Sequence, residues 1–207
     1  MLFKDAIKQV DFFDNLTKSQ FNTLSTISSF HSFKKNYILS YEEVISSELL
    51  FLVDGLAKSY KIDKNNNEIF LYHIESTDII SEISNLDNIN FENYSNILFL
   101  EDSIILKINY QLFKEYFLDT NILIKEFTAE ILKRVKKLET LINREFVFDA
   151  VTKVYMMIES DLEMFNKLKR HDIALMLNIQ PATLSRVLNK LKKDNKIKII
   201  QGKVMKL

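Results

Sequence analysis

HDIALMLNIQPATLSRVLNKLKKDNKIKIIQGKVMKL, residues 171–207, decides how the rest of the chain is read. In RHDIALMLN, Ile173, Ala174 and Leu177 fall on one face of a short helix. Asn178 would end that helix, at a place where left-handed backbone is wanted. Beyond Ile179-Gln180, Pro181 suits the first turn of a second helix, because the N–H it lacks has no intrahelical partner there. In PATLSRVLNKLKKDN, Leu184, Val187, Leu188 and Leu191 face inward. Ala182, Thr183, Ser185, Arg186 and Asn189 face outward or lie at the edge. Two helices joined by so short a turn make a helix-turn-helix. KIKII and KVMKL, flanking Gln201-Gly202, then read as a β-hairpin, a wing.

Lys and Arg number 28 and Asp and Glu 28, so the net charge is zero. The charge is nevertheless segregated. From Asp161 to Leu207 there are 11 basic against 4 acidic residues, hence +7, and the remainder carries −7. A solvated lysine-rich surface would give the same count, so charge alone decides little. Residue type says more. The start of the second helix offers Gln180, Thr183, Ser185 and Arg186 to bases and phosphates, and arginine can bind guanine O6 and N7 through two hydrogen bonds. Lys190, Lys192, Lys193, Lys198 and Lys203 are candidates for contacts to the nucleic-acid backbone.

The 207 residues suit one large domain or two small ones, and 47% hydrophobic with 27% charged is a globular composition. There are two glycines and one proline. Asparagine, which tolerates left-handed backbone, is expected to fill turns that glycine usually holds. The chain has no cysteine, which excludes disulfides, thiolate metal sites and a Cys-ligated iron–sulfur cluster. The start, MLFKDAIKQVDFFDNL, lacks the apolar centre of a signal peptide, and no stretch has the length of a membrane helix. The expectation is a cytoplasmic protein with no membrane partner.

Residues 3–29 read as helical, with Thr17 as an N-cap before KSQF. From Phe30 to Ile108 the pattern becomes strand-like: YILSYEEVI, LLFLVDG, LAKSYKI, EIFLYHI, NILFLED and SIILKINY. Asp54-Gly55 is expected to be a hairpin turn and KNNN at 64–67 a second turn. Many short strands at this spacing imply a sandwich or barrel. Helical periodicity runs from Tyr110 to Arg144. Within it Ile124, Thr128, Ile131, Val135, Leu138 and Ile142 step as the a/d seam of a coiled coil. The stretch 119–145 would reach roughly 40 Å. That suggests a dimer rod, with a second stripe (Phe127, Leu132, Leu141) left for the barrel; a helix packed wholly on its own domain is the alternative. Phe148-Asp149 reads as a boundary, Asp149 capping AVTKVYMMI.

DIALMLNIQPATLSRVLNKLKKDNKI resembles the winged helix-turn-helix of the Crp/Fnr superfamily, with its "IA…L-G-x-x-x-x-T-x-S-R-x-L-x-x-L" run. The order of parts is similar throughout, and KINYQLFKEYF at 107–117 resembles that family's last barrel strand and the helix after it. The resemblance implies an α+β chain: a jelly-roll (double-stranded β-helix) barrel of cyclic-nucleotide-binding type over 1–118, a dimerisation helix over 119–147 and a winged helix-turn-helix over 148–207. It implies a homodimeric bacterial transcription regulator that is not an enzyme and that reads a palindromic duplex with the helix at 181–193, RNA polymerase being a candidate partner. Arg186 would reach a base, Arg170, Gln180 and Thr183 would approach phosphates, and His171, Pro181, Ala182, Ser185, Asn189, Lys190 and Lys203 complete the expected DNA face. Ala182 stands where the family usually has Glu, which removes an acceptor for cytosine N4 and implies a different half-site.

Family members that bind cyclic AMP use Gly-Glu for the ribose and, further on, Arg-Ser or Arg-Thr for the phosphate. Here Ser81-Glu82 stands in for the first pair and Asn93-Tyr94 for the second. Without the arginine, tight cyclic-nucleotide binding is not expected. Glu82, His73 and Tyr94 remain the candidate effector residues. Haem, reporting a diatomic gas, is a candidate cofactor through His31 or His73. A cupin-type metal enzyme would need a histidine cluster that three scattered histidines cannot supply. A regulatory adaptor that has lost DNA binding is the remaining alternative, and Thr183, Ser185 and Arg186 argue against it.

Overall fold

The computed structural model describes Ile7 and residues 10–207. It divides into two compact units, one of residues 1–61 and 72–136, the other of 62–71 and 137–207. The long helix described below therefore begins in the first unit and ends in the second.

The first unit is a β-barrel-like fold of antiparallel strands with helices on one side. The helix α1 (Lys18–Thr26) starts where Thr17 and Gln20 form a capping box. Nine strands follow: β1 (Ser28–Phe33), β2 (Ile38–Ser40), β3 (Ile45–Ser46), β4 (Glu48–Asp54), β5 (Leu56–Ile62), β6 (Glu68–Glu75), β7 (Phe91–Glu92), β8 (Asn96–Phe99) and β9 (Ser103–Asn109). They form a three-stranded sheet ordered β1-β9-β4, a four-stranded sheet ordered β2-β8-β5-β6, and the pair β3-β7. The two-residue period of a strand divides the side chains of β4 and β9 between two cores. Leu49, Phe51, Val53, Leu106 and Ile108 meet the helices, with Phe12, Phe13, Leu24, Phe113 and Phe127. Leu52 and Ile105 point the other way, to Ala57, Ile74, Ile97 and Phe99. Burial on both faces is why LLFLV carries no alternation.

Three expectations change. Residues 11–29 are not one helix: a single 3-10 turn (Asp11–Phe13) precedes α1, and Ser28 and Ser29 already pair with β9. The reading of 3–9 as helix falls mostly outside the described residues. Strand β1, SSFHSF, begins two residues before the expected strand region, since Ser28 and Ser29 lie in the stretch read as helix, and β9 recruits it through six register pairs. Asp54-Gly55 does not close a hairpin. β4 pairs with β9 and β5 with β8, so this turn carries the chain from one sheet to the other. Gly55 is needed there for two reasons. Its φ is +108°, and a Cβ would lie 2.3 Å from Ser103 Oγ. Gly55→Ala should therefore destabilise the fold by about 1–3 kcal/mol, read from denaturant melts.

The expected helix 110–144 is interrupted. α2 (Tyr110–Phe113) runs into a π-helical turn (Lys114–Leu118), and α3 spans only Ile124–Ile142, about 28 Å at 1.5 Å per residue. Between them Thr120 competes for the backbone, its Oγ1 donating to Tyr116 O at 2.7 Å, Asp119 turns its carboxylate to Lys114, and Asn121 is left-handed, with φ +60°. Asparagines 36, 66, 121, 178 and 195 all take positive φ, the glycine role expected of them.

In the second unit a π-helical turn (Asn143–Val147) precedes α4 (Ala150–Ser160), α5 (Leu162–Lys167), α6 (Arg170–Met176), α7 (Pro181–Lys193) and the hairpin β10 (Ile197–Ile200) with β11 (Lys203–Lys206). Val154, Ile158, Phe165, Ile173, Leu184, Leu188 and Ile197 share its core. Asp149 caps α4, accepting the Thr152 N–H at 2.7 Å, and that bond holds its carboxyl below the usual carboxylate range. The cap is thus complete above the unfolded value and is lost as pH falls through the lower folded one. Asp149→Ala should flatten the acid limb of the stability profile below about pH 4, measured by thermal melts.

Candidate functional site

Two helices, a turn and a hairpin build the first candidate surface. α6 ends at Leu177, and Asn178 takes φ +49° to reverse the chain. Pro181 opens α7 with Gln180 as N-cap, and no side chain caps the helix. Leu184, Val187, Leu188 and Leu191 are buried, as their spacing requires. The opposite face presents Ala182, Ser185, Arg186, Asn189 and Lys190 to solvent, with Thr183 half-buried at the edge. From 181 to 193 there is no acidic residue, and Lys190, Lys192 and Lys193 sit in the last turn.

The wing is fixed by side chains that sequence reasoning missed. Asn166 uses both ends of its amide: Nδ2 donates to Val204 O at 2.8 Å, and Oδ1 accepts the Val204 N–H at 2.8 Å. This copies a strand pairing, and an asparagine on an amphipathic helix gave no signal of it. Arg170 is placed differently from the expectation that it meets a phosphate. Its Nη2 donates to Gly202 O at 2.9 Å in the wing turn, and its guanidinium lies 5.0 Å from the centre of the Phe165 ring. It holds α6, α5 and the wing together. Lys203 is exposed on the wing. His171, Gln180 and Pro181 line a cleft together with Ala174, Asn178 and Ile179. Lys153 is buried and donates to Leu177 O at 3.3 Å, so α4 supports the carbonyl end of α6.

The expected rod seam divides. Ile124 and Ile131 pack on the core of the first unit with buried Phe127, and Thr128 is exposed, bonding back to Ile124 O. Val135, Leu138 and Ile142 are exposed, together with Leu132 and Phe146. Leu132 thus leaves the stripe assigned to the barrel and joins the open one. Leu132, Val135, Leu138 and Ile142 step by three or four along α3, so they form one apolar stripe.

The second candidate site lies inside the barrel. The structure brings Glu82 to the segment after β7. Glu82 Oε2 accepts the Tyr94 N–H at 2.5 Å, and Oε1 accepts from Ser95 Oγ at 2.9 Å and from Tyr72 Oη at 3.2 Å. Buried Ser59 donates to Ser95 Oγ at 2.7 Å. The pair that meets the carboxylate is therefore Tyr94-Ser95, one residue later than Asn93-Tyr94. Asn93 instead pairs its backbone with Glu43 and Val44. Tyr72 and Ser59 were readable in principle, since Tyr72 shares a strand face with buried Phe70 and Ile74, and Ser59 with buried Ala57. Burial pushes the Tyr72 phenol up, so it stays a donor at neutral pH.

The backbone leading into Glu82 is held by α3. Arg134 donates to Ile79 O at 2.5 Å, Ser81 O at 2.6 Å and Ile80 O at 3.3 Å, and Lys133 pairs with buried Asp78. Burial opposes the Lys133 charge, but its bond and attraction to Asp78 outweigh that and raise its pKa. Of the haem candidates, His31 is exposed on β1 beside Ser29, and His73 is half-buried on β6, in the other sheet. Among the described residues no group of three or more His, Cys, Asp or Glu side chains is placed to hold a metal ion, and no helix is long and apolar enough to cross a membrane.

No protein-family model matches the chain, and no curated protein does. Solved structures do. A CooA mutant from Carboxydothermus hydrogenoformans is 18% identical, with 96% of this chain and 90% of that one covered and a TM-score of 0.70. The c-di-GMP responsive global regulator CLP of Xanthomonas campestris is 14% identical, with 92% and 99% covered and a TM-score of 0.69. TTHA1359, a CRP/FNR family transcriptional regulator from Thermus thermophilus, is 15% identical, with 86% and 93% covered and a TM-score of 0.66. The chain has the fold of these regulators: barrel, long helix and helix-turn-helix in the same order.

Proposed function

We propose that this chain is a Crp/Fnr-type transcription regulator: a homodimer that binds a palindromic duplex, each copy setting α7 in one major groove. The observation that carries this is the outer face of α7. It joins an acid-free, basic and hydroxyl-rich surface to an uncapped helix start, beside a wing held by Asn166 and Arg170. Pro181 has no N–H and Thr183 and Leu184 donate to Gln180 O, so in the first turn it is the Ala182 N–H that faces a phosphate oxygen. Ala182, Thr183, Ser185 and Asn189 offer the groove small or hydrogen-bonding groups, and Arg186 offers a guanine fork. A two-fold dimer sets the half-sites about one helical turn apart. The apolar stripe on α3 supplies the dimer seam. The barrel signal reaches that seam through Lys133 and Arg134, which hold the segment ending at Glu82.

The chain should select a palindrome from random duplexes, and its affinity should fall steeply with salt. With about four or five phosphates neutralised by each copy, a slope of roughly −8 in log K against log salt is expected. Fluorescence anisotropy across a salt series measures it. A salt-independent affinity, or no selection at all, contradicts the reading.

A further inference from the structure

We propose that Glu82 is a built-in ligand: its carboxylate fills an anion cradle in the barrel, so this site is liganded without any diffusible effector. The donors come from strand β6 and from the segment after β7, and they converge as they would on a free carboxylate. The Tyr94 N–H and Ser95 hydroxyl supply adjacent donors, the Tyr72 phenol adds a third, and Ser59 orients Ser95 from behind. Ser59 and Ser95 are fully buried, so each hydroxyl needs its partner. A carboxylate drawn from water onto neutral donors repays its desolvation only when those donors are in place.

The cradle is also placed to be read. Its occupant is the last residue of a segment gripped from both sides. Ser81 Oγ accepts the Leu50 N–H and donates to Glu48 O, each at 2.9 Å. Arg134 and Lys133 of α3 hold residues 78–81. Emptying the cradle frees Glu82's end of that segment and with it the surface on which α3 rests. The cradle thus takes a carboxylate group, supplied in this chain by the chain itself.

Glu82→Ala removes the atoms of one acetate and leaves the donors standing. In the full-length protein this variant should unfold at a lower temperature than the parent. Sodium acetate should raise its Tm saturably, sodium chloride at equal ionic strength should not, and the parent should respond to neither. Glu82→Gln, of the same size, should also unfold earlier: its amide oxygen can take the Tyr94 N–H, but its NH2 turns the Ser95 and Tyr72 hydroxyls from donors into acceptors and the strength of charge-assisted bonds is lost; acetate should not help it, since the cradle is full. An Ala variant indifferent to acetate, a parent that responds equally, or a Gln variant as stable as the parent overturns the proposal. Should the Ala variant not fold, the Gln comparison decides alone. A second arm rests on the DNA-binding reading. The Ala variant should bind duplex about tenfold more weakly, a coupling of common size, and acetate should restore it. Equal DNA affinity for parent and variant, with and without acetate, sinks the built-in-ligand role. Duplex bound by neither protein, with the acetate rescue intact, sinks the DNA-binding reading and leaves the cradle standing.

Discussion

Val135→Glu combined with Leu138→Glu is expected to leave a folded monomer that binds duplex about a thousandfold more weakly than the parent, the scale of an avidity that linking two sites confers. In the single chain Val135 is 54% and Leu138 42% exposed, with Leu132 at 62%, Ile142 at 55% and Phe146 at 85%. Isolated surface leucines are ordinary, whereas a run of them at helical spacing is the feature on which the proposed dimer seam rests. Carboxylates set in that face would oppose their own copies across a two-fold axis, where charges meet like charges in a drying interface. Neither residue supports the cores of its own chain, so the folded state should survive. Light scattering gives the mass and anisotropy the affinity. A parent already monomeric, or a double variant that stays dimeric, places the seam elsewhere. Phe127→Ala makes the contrast: it empties a buried site and should cost roughly 3–5 kcal/mol in stability.

The C-terminal unit was legible almost residue by residue because its signals are local. Pro181 at the first helical position, Asn178 in the left-handed turn and buried Leu184, Val187, Leu188 and Leu191 depend on near neighbours in the chain. The barrel was legible as strands and not as a topology. Asp54-Gly55 looks the same whether it joins paired strands or carries the chain between sheets, and only the pairing of β4 with β9 decides. The break at residues 119–123 was hidden because apolar spacing continues through it. Its cause is the Thr120 hydroxyl bonding back to Tyr116 O together with the left-handed turn at Asn121. At the barrel site Glu82 and Tyr94 could be named from the sequence, but not that one accepts the other's N–H. That needs two segments brought together by β7 and by the grip of Arg134 on residues 79–81.

Arg186→Ala should separate recognition from attraction. The side chain is exposed on the outer face of α7, and its Nε donates back to Ala182 O at a long 3.4 Å, so truncation should leave the fold intact. A guanidinium that binds one guanine through two bonds is worth about 1–3 kcal/mol of discrimination. In a two-fold complex both copies lose it, so the affinity for the selected palindrome should fall by roughly thirtyfold to twenty-thousandfold, while binding to random duplex changes little. Lys190→Ala should behave in the opposite way. It should weaken both duplexes alike and flatten the salt slope by about one for each phosphate left without its lysine. Competition titrations of the two variants against selected and random duplex, at two salt concentrations, measure all four quantities. If Arg186→Ala weakens both duplexes equally, the residue serves the phosphate backbone and the base reading passes to Gln180, Thr183, Ser185 and Asn189. If it weakens neither, α7 does not enter the groove by this face.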